Sequence, residues 1–575
     1  MSRPADEHPK KNQLNNFSIW LITWAFLLSL CWLMPVTSPP WSTLPSDAWA
    51  ALVTLVAGVF VVARVSGRVD WHCITGGVAA IVVLPWLQLW LGILPYTGQA
   101  WISSIYLLGL LIAMLVGASW ERTSPLQLAD ALFMAIGFAS VISVGLQLYA
   151  WLGLSESGGL GVLFSGLDSV RPAGNLGQPN QLATLLLWGL LACLWAYLRK
   201  SLSGTTATFV SIFLLIGLAL TQSRTGLLGA CLLVAAVWLW RSLWPNKNLP
   251  WIVTGLYLVF LALPIPLQSL NEALLLDQDG SYFRLEAPSG LRLKAWGLFL
   301  QATLERPWFG YGLTETNAAQ MAVAGDFPSL GSIFSHSHNL FIDFVLWIGL
   351  PLGLLTAAVL LSWFWVRLRA AKTAEDATLL MLLVAVGVHA MLEFPLQYAY
   401  FLLPTGLVIG VLNTRLAVPV VWTSPRWSLA GFWLVAALTT GVTLRDYVQV
   451  EASYSLLRLE QSPIGQGRPP MGGPPDVWVL THLRDWIKLA RTNPRAGMSP
   501  QELVEMEAAA SAYPSLSSAY GLAKALALND QPDKARAWLA KICKFTEAHD
   551  CRLAQRSWEK EAVGDARTLA IPWPG

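Results

Sequence analysis

Long apolar runs constrain this chain more than any other feature. A helix crosses a bilayer in about 20 residues, and about thirteen stretches between residues 17 and 444 are long and apolar enough to do so. Composition agrees: 55% of the residues are hydrophobic, only 12% are charged, and there are 30 tryptophans. An ordinary soluble chain carries about 25% charge. The sequence therefore reads as a polytopic membrane protein.

Orientation follows from the distribution of Lys and Arg, which concentrate in cytoplasmic loops. With a cytoplasmic N-terminus, 15 fall on inside segments, among them Arg3, Lys10, Lys11, Arg64, Arg122, Lys200 and Lys372. Six fall outside between spans: Arg171, Arg224, Arg284, Arg292, Lys294 and Arg306, four of them in one loop, 268–337. An odd span count then puts the region beyond residue 444 outside, in a bacterial periplasm.

The expected organisation is a membrane domain 1–444 that includes the loop 268–337, a linker 445–475, and a helical domain 476–575. The Pro- and Gly-dense SPIGQGRPPMGGPPD (462–476) breaks regular structure. After it, SLSSAYGLAKALALNDQPDKARAWLAKICK (515–544) has helical spacing interrupted at Asn529-Asp530. This predicts a helical hairpin with a faint tetratricopeptide-like character, suited either to docking a partner or to covering the membrane part. Cys543 and Cys551, both in the tail, are expected to pair in an oxidising compartment. No Walker loop, GxSxG elbow or CxxC pair is present, and no basic, aromatic-interleaved surface points to nucleic acid.

Polar residues at span ends are the functional candidates, because ionisable groups are costly near hydrocarbon. Gln178 and Gln181 stand in RPAGNLGQPNQLATLL, Arg224 in TQSRTG, Arg292 in SGLRLKAW, His336 and His338 in FSHSHNLFIDF, and Glu393, Tyr398 and Tyr400 in HAMLEFPLQYAYF. Each has a structural alternative. Gln178 could cap a helix that Pro179 starts. Arg224 could snorkel to headgroups, although it lies on the side where positive charge is otherwise avoided. The run after Arg292 could lie on the membrane surface. His389 and Glu393, four apart, share a helical face, and Asp343 is expected to bond within the bundle. His336 and His338, two apart, would diverge on a helix, and no metal site is expected. Together the groups describe an outward cavity with guanidinium ligands for phosphate and an imidazole able to take a hydroxyl proton.

SRTG (223–226), SGLRLKAW (289–296), RPWFGYG (306–312) and HSHNLFIDFVLWIGLPLG (336–353) resemble the bacterial superfamily of O-antigen ligases, O-antigen polymerases and protein O-oligosaccharyltransferases. GNLGQPNQLATLL (174–186), LEFPLQYAYFLLP (392–404) and the helical tail resemble the PglL-type protein-glycosylating branch. The resemblance implies an all-α glycosyltransferase C-type bundle in the bacterial inner membrane. It also implies transfer of a preassembled glycan from undecaprenyl pyrophosphate to Ser or Thr of a periplasmic protein such as a type IV pilin, inverting and without metal or other cofactor. Carried over, Arg224 and Arg292 hold pyrophosphate and His338 is the base. Gln178 and Tyr398 match further family positions, with Tyr400 as competitor to Tyr398 and His336 outside the pattern. The rival expectations are an O-antigen ligase acting on lipid A core, a polymerase, and a lipid-linked-sugar transporter, which would place its polar groups at the bilayer midplane.

Overall fold

The computed structural model describes residues 19–34, 37–64, 67–154, 171–276, 290–462, 472–562 and 564–574. Arg3, Lys10, Lys11 and Arg284 of the charge count, and residues 463–471 of the linker, lie outside the described residues.

The protein is an all-α polytopic membrane protein. Among the described residues, eight helical stretches are long and apolar enough to cross a bilayer, from Leu44–Arg64 to Arg426–Gln461. Three more, Ile19–Leu33, Gly204–Leu220 and Arg224–Leu239, are apolar but shorter. At 1.5 Å per residue, Ile19–Leu33, with 15 residues, covers only about 22 Å. Ala374–Ala390 and Ala399–Arg415 are also apolar and lie mostly buried among the others.

The centre is the crossing of Thr97–Thr123 with Ala399–Arg415. A Cβ on Gly410 would meet the Met114 carbonyl oxygen, and one on Gly117 the Leu407 carbonyl oxygen, each far inside contact distance. Only glycine allows such backbone approach, the usual means of tight packing where lipid supplies no hydrophobic drive between helices. Thr97–Thr123 also fixes the two ends of the molecule. At its first turn Gly98 abuts His482 of the tail, and in its last turn Arg122 pairs with Asp70 at 2.6 Å.

That second end carries an unexpected two-stranded antiparallel sheet, Arg68–His72 against Val420–Pro425, with Trp71 opposite Trp422. Strand formers such as Val420, Val421 and Trp422 let two inter-span loops satisfy each other's backbone.

The apolar run 338–366, long enough in sequence for one span, is two helices, Leu340–Ile348 and Leu350–Ala370, parted at Gly349 with φ +81°. The RPWFGYG stretch fills the break. Tyr311 N donates to Leu346 O (2.9 Å), Gly312 N to Trp347 O (3.1 Å) and Leu350 N to Pro307 O (2.7 Å). The buried Gln88 side chain adds bonds to Trp347 O, Phe309 O and Leu313 N. Irregular backbone is tolerable here because protein, not lipid, satisfies it.

A further correction concerns the linker, since residues 445–461 continue the 36-residue helix Arg426–Gln461. Asp446 on that helix accepts from the amides of Trp478, Val479 and Leu480 at 2.7–3.1 Å, tying down the start of the tail. In the tail, Leu516–Leu528 and Pro532–Phe545 form the expected helix pair around Asp530, which has φ +58°. Asn529 knits the turn to its neighbours through Met498 N and Arg495 O. The tail also packs on the loop region: Leu330 N donates to Lys544 O, and Lys544 Nζ to Phe327 O. Cys543 and Cys551 are disulfide-bonded, with Cα atoms 5.0 Å apart.

Candidate active site

Five separate helix starts meet on the tail-bearing end. Gln178 is the N-cap of Pro179–Leu198, Ser223 of Arg224–Leu239, Gly290 of Leu291–Glu305, Asn339 of Leu340–Ile348 and Tyr398 of Ala399–Arg415. The positive ends of the helix dipoles thus gather at one place. Ser223 and Asn339 cap through their side chains, Asn339 by accepting from Phe341 N and Ile342 N.

Glu393 is the hub. It sits in the turn after Ala374–Ala390, and its side chain is only 7% exposed. Its Oε1 accepts from Arg292 Nη2 at 2.8 Å and from Asn180 Nδ2 at 3.2 Å. Its Oε2 lies 3.1 Å from His338 Nδ1, an ion-pair distance without in-line hydrogen-bond geometry. Asn180 Oδ1 in turn accepts from Ser223 Oγ at 2.6 Å, the residue before Arg224. Burial acts to raise the Glu393 carboxyl, but His338 and Arg292 outweigh it and hold the group below its ordinary value.

The two histidines precede the helix rather than opening it. His338 has φ +60°, two residues before Leu340. Ser337 between them is held by Asp343, whose Oδ1 accepts Ser337 N at 2.8 Å, and its carbonyl accepts from Trp296 Nε1 at 2.9 Å. The expectation that the histidines diverge fails for this reason: off the helix, their rings approach to 4.3 Å between centroids. His336 is buried and stacked on Phe394, and among the described residues its Nδ1 has no hydrogen-bond partner. Burial, with His338 and Arg292 beside it, pushes this imidazole down to about 2, so it is neutral.

The remaining candidates separate. Tyr400 is buried and donates to Gln181 Oε1 at 2.8 Å, a tie inside the bundle, whereas Tyr398 is half-buried and lies over Tyr400 and Phe394. Gln178 occupies the N-cap position, yet its side chain makes no cap bond. Arg224 is exposed at the first position of its helix, and Arg292 is partly exposed. His389 is buried and bonds Thr184 Oγ1 at 2.8 Å. Asn180 and Ser223 were not singled out in the sequence. Their one signal is position, each a small polar residue at a helix start beside a named candidate. An apolar cleft of about 540 Å³, lined by Leu190, Leu194, Tyr197, Phe209, Val234 and Leu256, includes none of these groups.

Comparison with known proteins fits this geometry. The protein glycosylation ligase model matches residues 172–196, the O-antigen ligase model 209–357, and the C-terminal model of virulence factor membrane-bound polymerases 377–557. These three segments contain every residue of the cluster. Over these three segments the chain matches models of O-antigen ligases, membrane-bound polymerases and protein glycosylation ligases. It is similar to a general O-oligosaccharyltransferase of Acinetobacter baylyi, 29% identical over 509 residues, 85% of this chain and 86% of that protein. It is also similar to a ComP-specific O-oligosaccharyltransferase of the same species, 30% identical over 255 residues, 44% of this chain and 46% of that protein.

Proposed function

We propose that this chain is a protein O-oligosaccharyltransferase that moves a preassembled glycan from undecaprenyl pyrophosphate to a Ser or Thr hydroxyl of a periplasmic protein, a pilin being the expected acceptor. The observation that carries the reading is the Asn180–Glu393–Arg292 cluster, which joins the Arg224 helix start to the His338 loop on the tail-bearing end. Two guanidinium groups at convergent helix N-termini suit a pyrophosphate dianion, and an imidazole beside a carboxylate suits a base.

In this reading the acceptor oxygen attacks the anomeric carbon, a new C–O bond forms, and the bond to the pyrophosphate oxygen breaks with its electron pair leaving on phosphate. Arg224 and Arg292 hydrogen-bond the departing oxygens, a contribution of about 3 kcal/mol per well-placed donor. His338 takes the hydroxyl proton on Nε2 while Glu393 stands against Nδ1. One displacement inverts the anomeric centre and draws its energy from the pyrophosphate ester, without metal. Tyr398 and Gln178 flank the donor, and Glu393 acts through Arg292 and His338 as a positioning residue. The site and tail share one face, and the asymmetry of Lys and Arg supports reading that face as the periplasmic side of the inner membrane. Their position at helix ends, not mid-helix, disfavours a transporter.

Expression in a bacterium supplied with a lipid-linked glycan, with and without a pilin, tests the assignment. Intact mass of the pilin should rise by one glycan or more, with lipopolysaccharide unchanged. Glycan on lipid A core and none on protein would make the chain a ligase.

A further inference from the structure

His336, His338 and Glu393 each offer one ligand atom, and these atoms lie within 4.8 Å of one another. Within the group, Glu393 Oε2 and His338 Nδ1 are 3.1 Å apart. Around tetrahedral zinc, with bonds of about 2.0–2.2 Å, neighbouring ligand atoms stand about 3.3 Å apart. That pair therefore already has the spacing of one edge of such a polyhedron. A second observation points the same way: among the described residues the buried Nδ1 of His336 has no hydrogen-bond partner, and the buried Nδ1 of His338 has only the Glu393 oxygen at ion-pair distance. Buried polar atoms are ordinarily satisfied, and the unpartnered His336 nitrogen together with the His338 nitrogen facing the Glu393 carboxylate forms the N,N,O donor set that zinc accepts with an open fourth position.

We propose that His336, His338 and Glu393 form a chelation site for a divalent d-block cation, Zn2+ foremost, and that its occupancy shuts off glycan transfer. Inhibition rests on His338 being the base, because a cation bonded to its ring and to Glu393 neutralises the carboxylate and disfavours a second positive charge on the imidazole. Arg292 does not bar the ion: it bonds Oε1 of Glu393 and leaves Oε2 toward the histidines. The soft imidazole pair discriminates against Mg2+ and Ca2+, which prefer all-oxygen shells. This gives His336, outside the family's motif, a function of its own.

The test uses full-length protein in lipid nanodiscs with its affinity tag removed. Dialysis against Zn2+ should leave one equivalent bound per chain, and Co2+ in its place should give the visible absorption of a four-coordinate ion. Glycan transfer should fall with Zn2+ and return with EDTA, while Mg2+ does neither. His336→Gln should weaken Zn2+ retention, and inhibition relative to its own metal-free rate, by more than about ten-fold. No stoichiometric retention by the wild type, or retention identical in His336→Gln, overturns the site. The Co2+ spectrum needs no variant to fold. Stoichiometric, His336-dependent binding that leaves transfer untouched supports the site and removes His338 as base, so the two readings fail separately.

Discussion

Replacing Glu393 by Gln keeps the shape and the acceptor for Asn180 but removes the charge. In the proposed mechanism His338 becomes an imidazolium during transfer, 3.1 Å from Oε2. At an effective dielectric of about 20 the pair attraction at this distance is about 5 kcal/mol. His338 is 19% exposed and Glu393 7%, and the solvent that reaches the imidazole screens the pair, so about half is a fair share. About 2.5 kcal/mol off the transition state is a rate loss of about 70-fold. The loss should fall on kcat, since the charge interaction grows only as the proton moves. Donor KM should stay level or drop, because Arg292 is released from Glu393 and is freer to meet pyrophosphate. Initial rates against lipid-linked donor, read by intact mass of the acceptor protein, separate the two parameters. A Glu393→Gln enzyme with wild-type kcat, or one impaired only through a raised donor KM, would refute the carboxylate–imidazole argument.

Arg224→Lys and Arg292→Lys should each lower transfer at least ten-fold in donor titrations, since an ammonium cannot reproduce paired guanidinium contacts. His338→Ala should cost about 100-fold or more, with His336→Ala milder in metal-free buffer; the reverse order in the same assay exchanges their roles. Replacing both Cys543 and Cys551 by Ser opens a link with a sequence separation of 8 and should destabilise the tail by about 2.5 kcal/mol, seen in its thermal unfolding. His482 is buried in the tail and burial lowers its imidazole to about 4. The unfolded ring binds a proton that the folded one refuses, so its stabilisation is complete above about pH 6.5 and lost as pH falls toward 4, by about 3 kcal/mol in all. Amide exchange over Thr481–Arg491, corrected for intrinsic rates, should show this, and His482→Leu should flatten it.

Much of the architecture was legible because membrane helices and turn breakers leave strong local patterns. The Asn529-Asp530 break and the Cys543–Cys551 link were readable for the same reason, being short-range. The broken span at Gly349 was not, because RPWFGYG and Gln88, which satisfy its backbone, lie far off in sequence. The continuation of the helix through 445–461 was missed because Asp446 and Arg445 look like linker residues until the tail's amides are seen to bind Asp446. At the site, residue types pointed to phosphate and base chemistry, but the partnership of Glu393 with Arg292, His338 and Asn180 spans up to 213 positions and has no local signature. The convergence of the histidines depended on the left-handed backbone at His338, which helical periodicity cannot foresee.

Two stretches that carry the resemblance to the protein-glycosylating branch, 174–186 and 392–404, are bonded to each other twice, by Asn180 to Glu393 and by Tyr400 to Gln181. A chimera that exchanges one stretch for that of a distant relative strands a buried donor or acceptor, at about 1–3 kcal/mol each. Grafts intended to redirect the enzyme should therefore move both stretches as a single cassette, and natural recombination between such genes is expected to succeed where the breakpoints spare the pair.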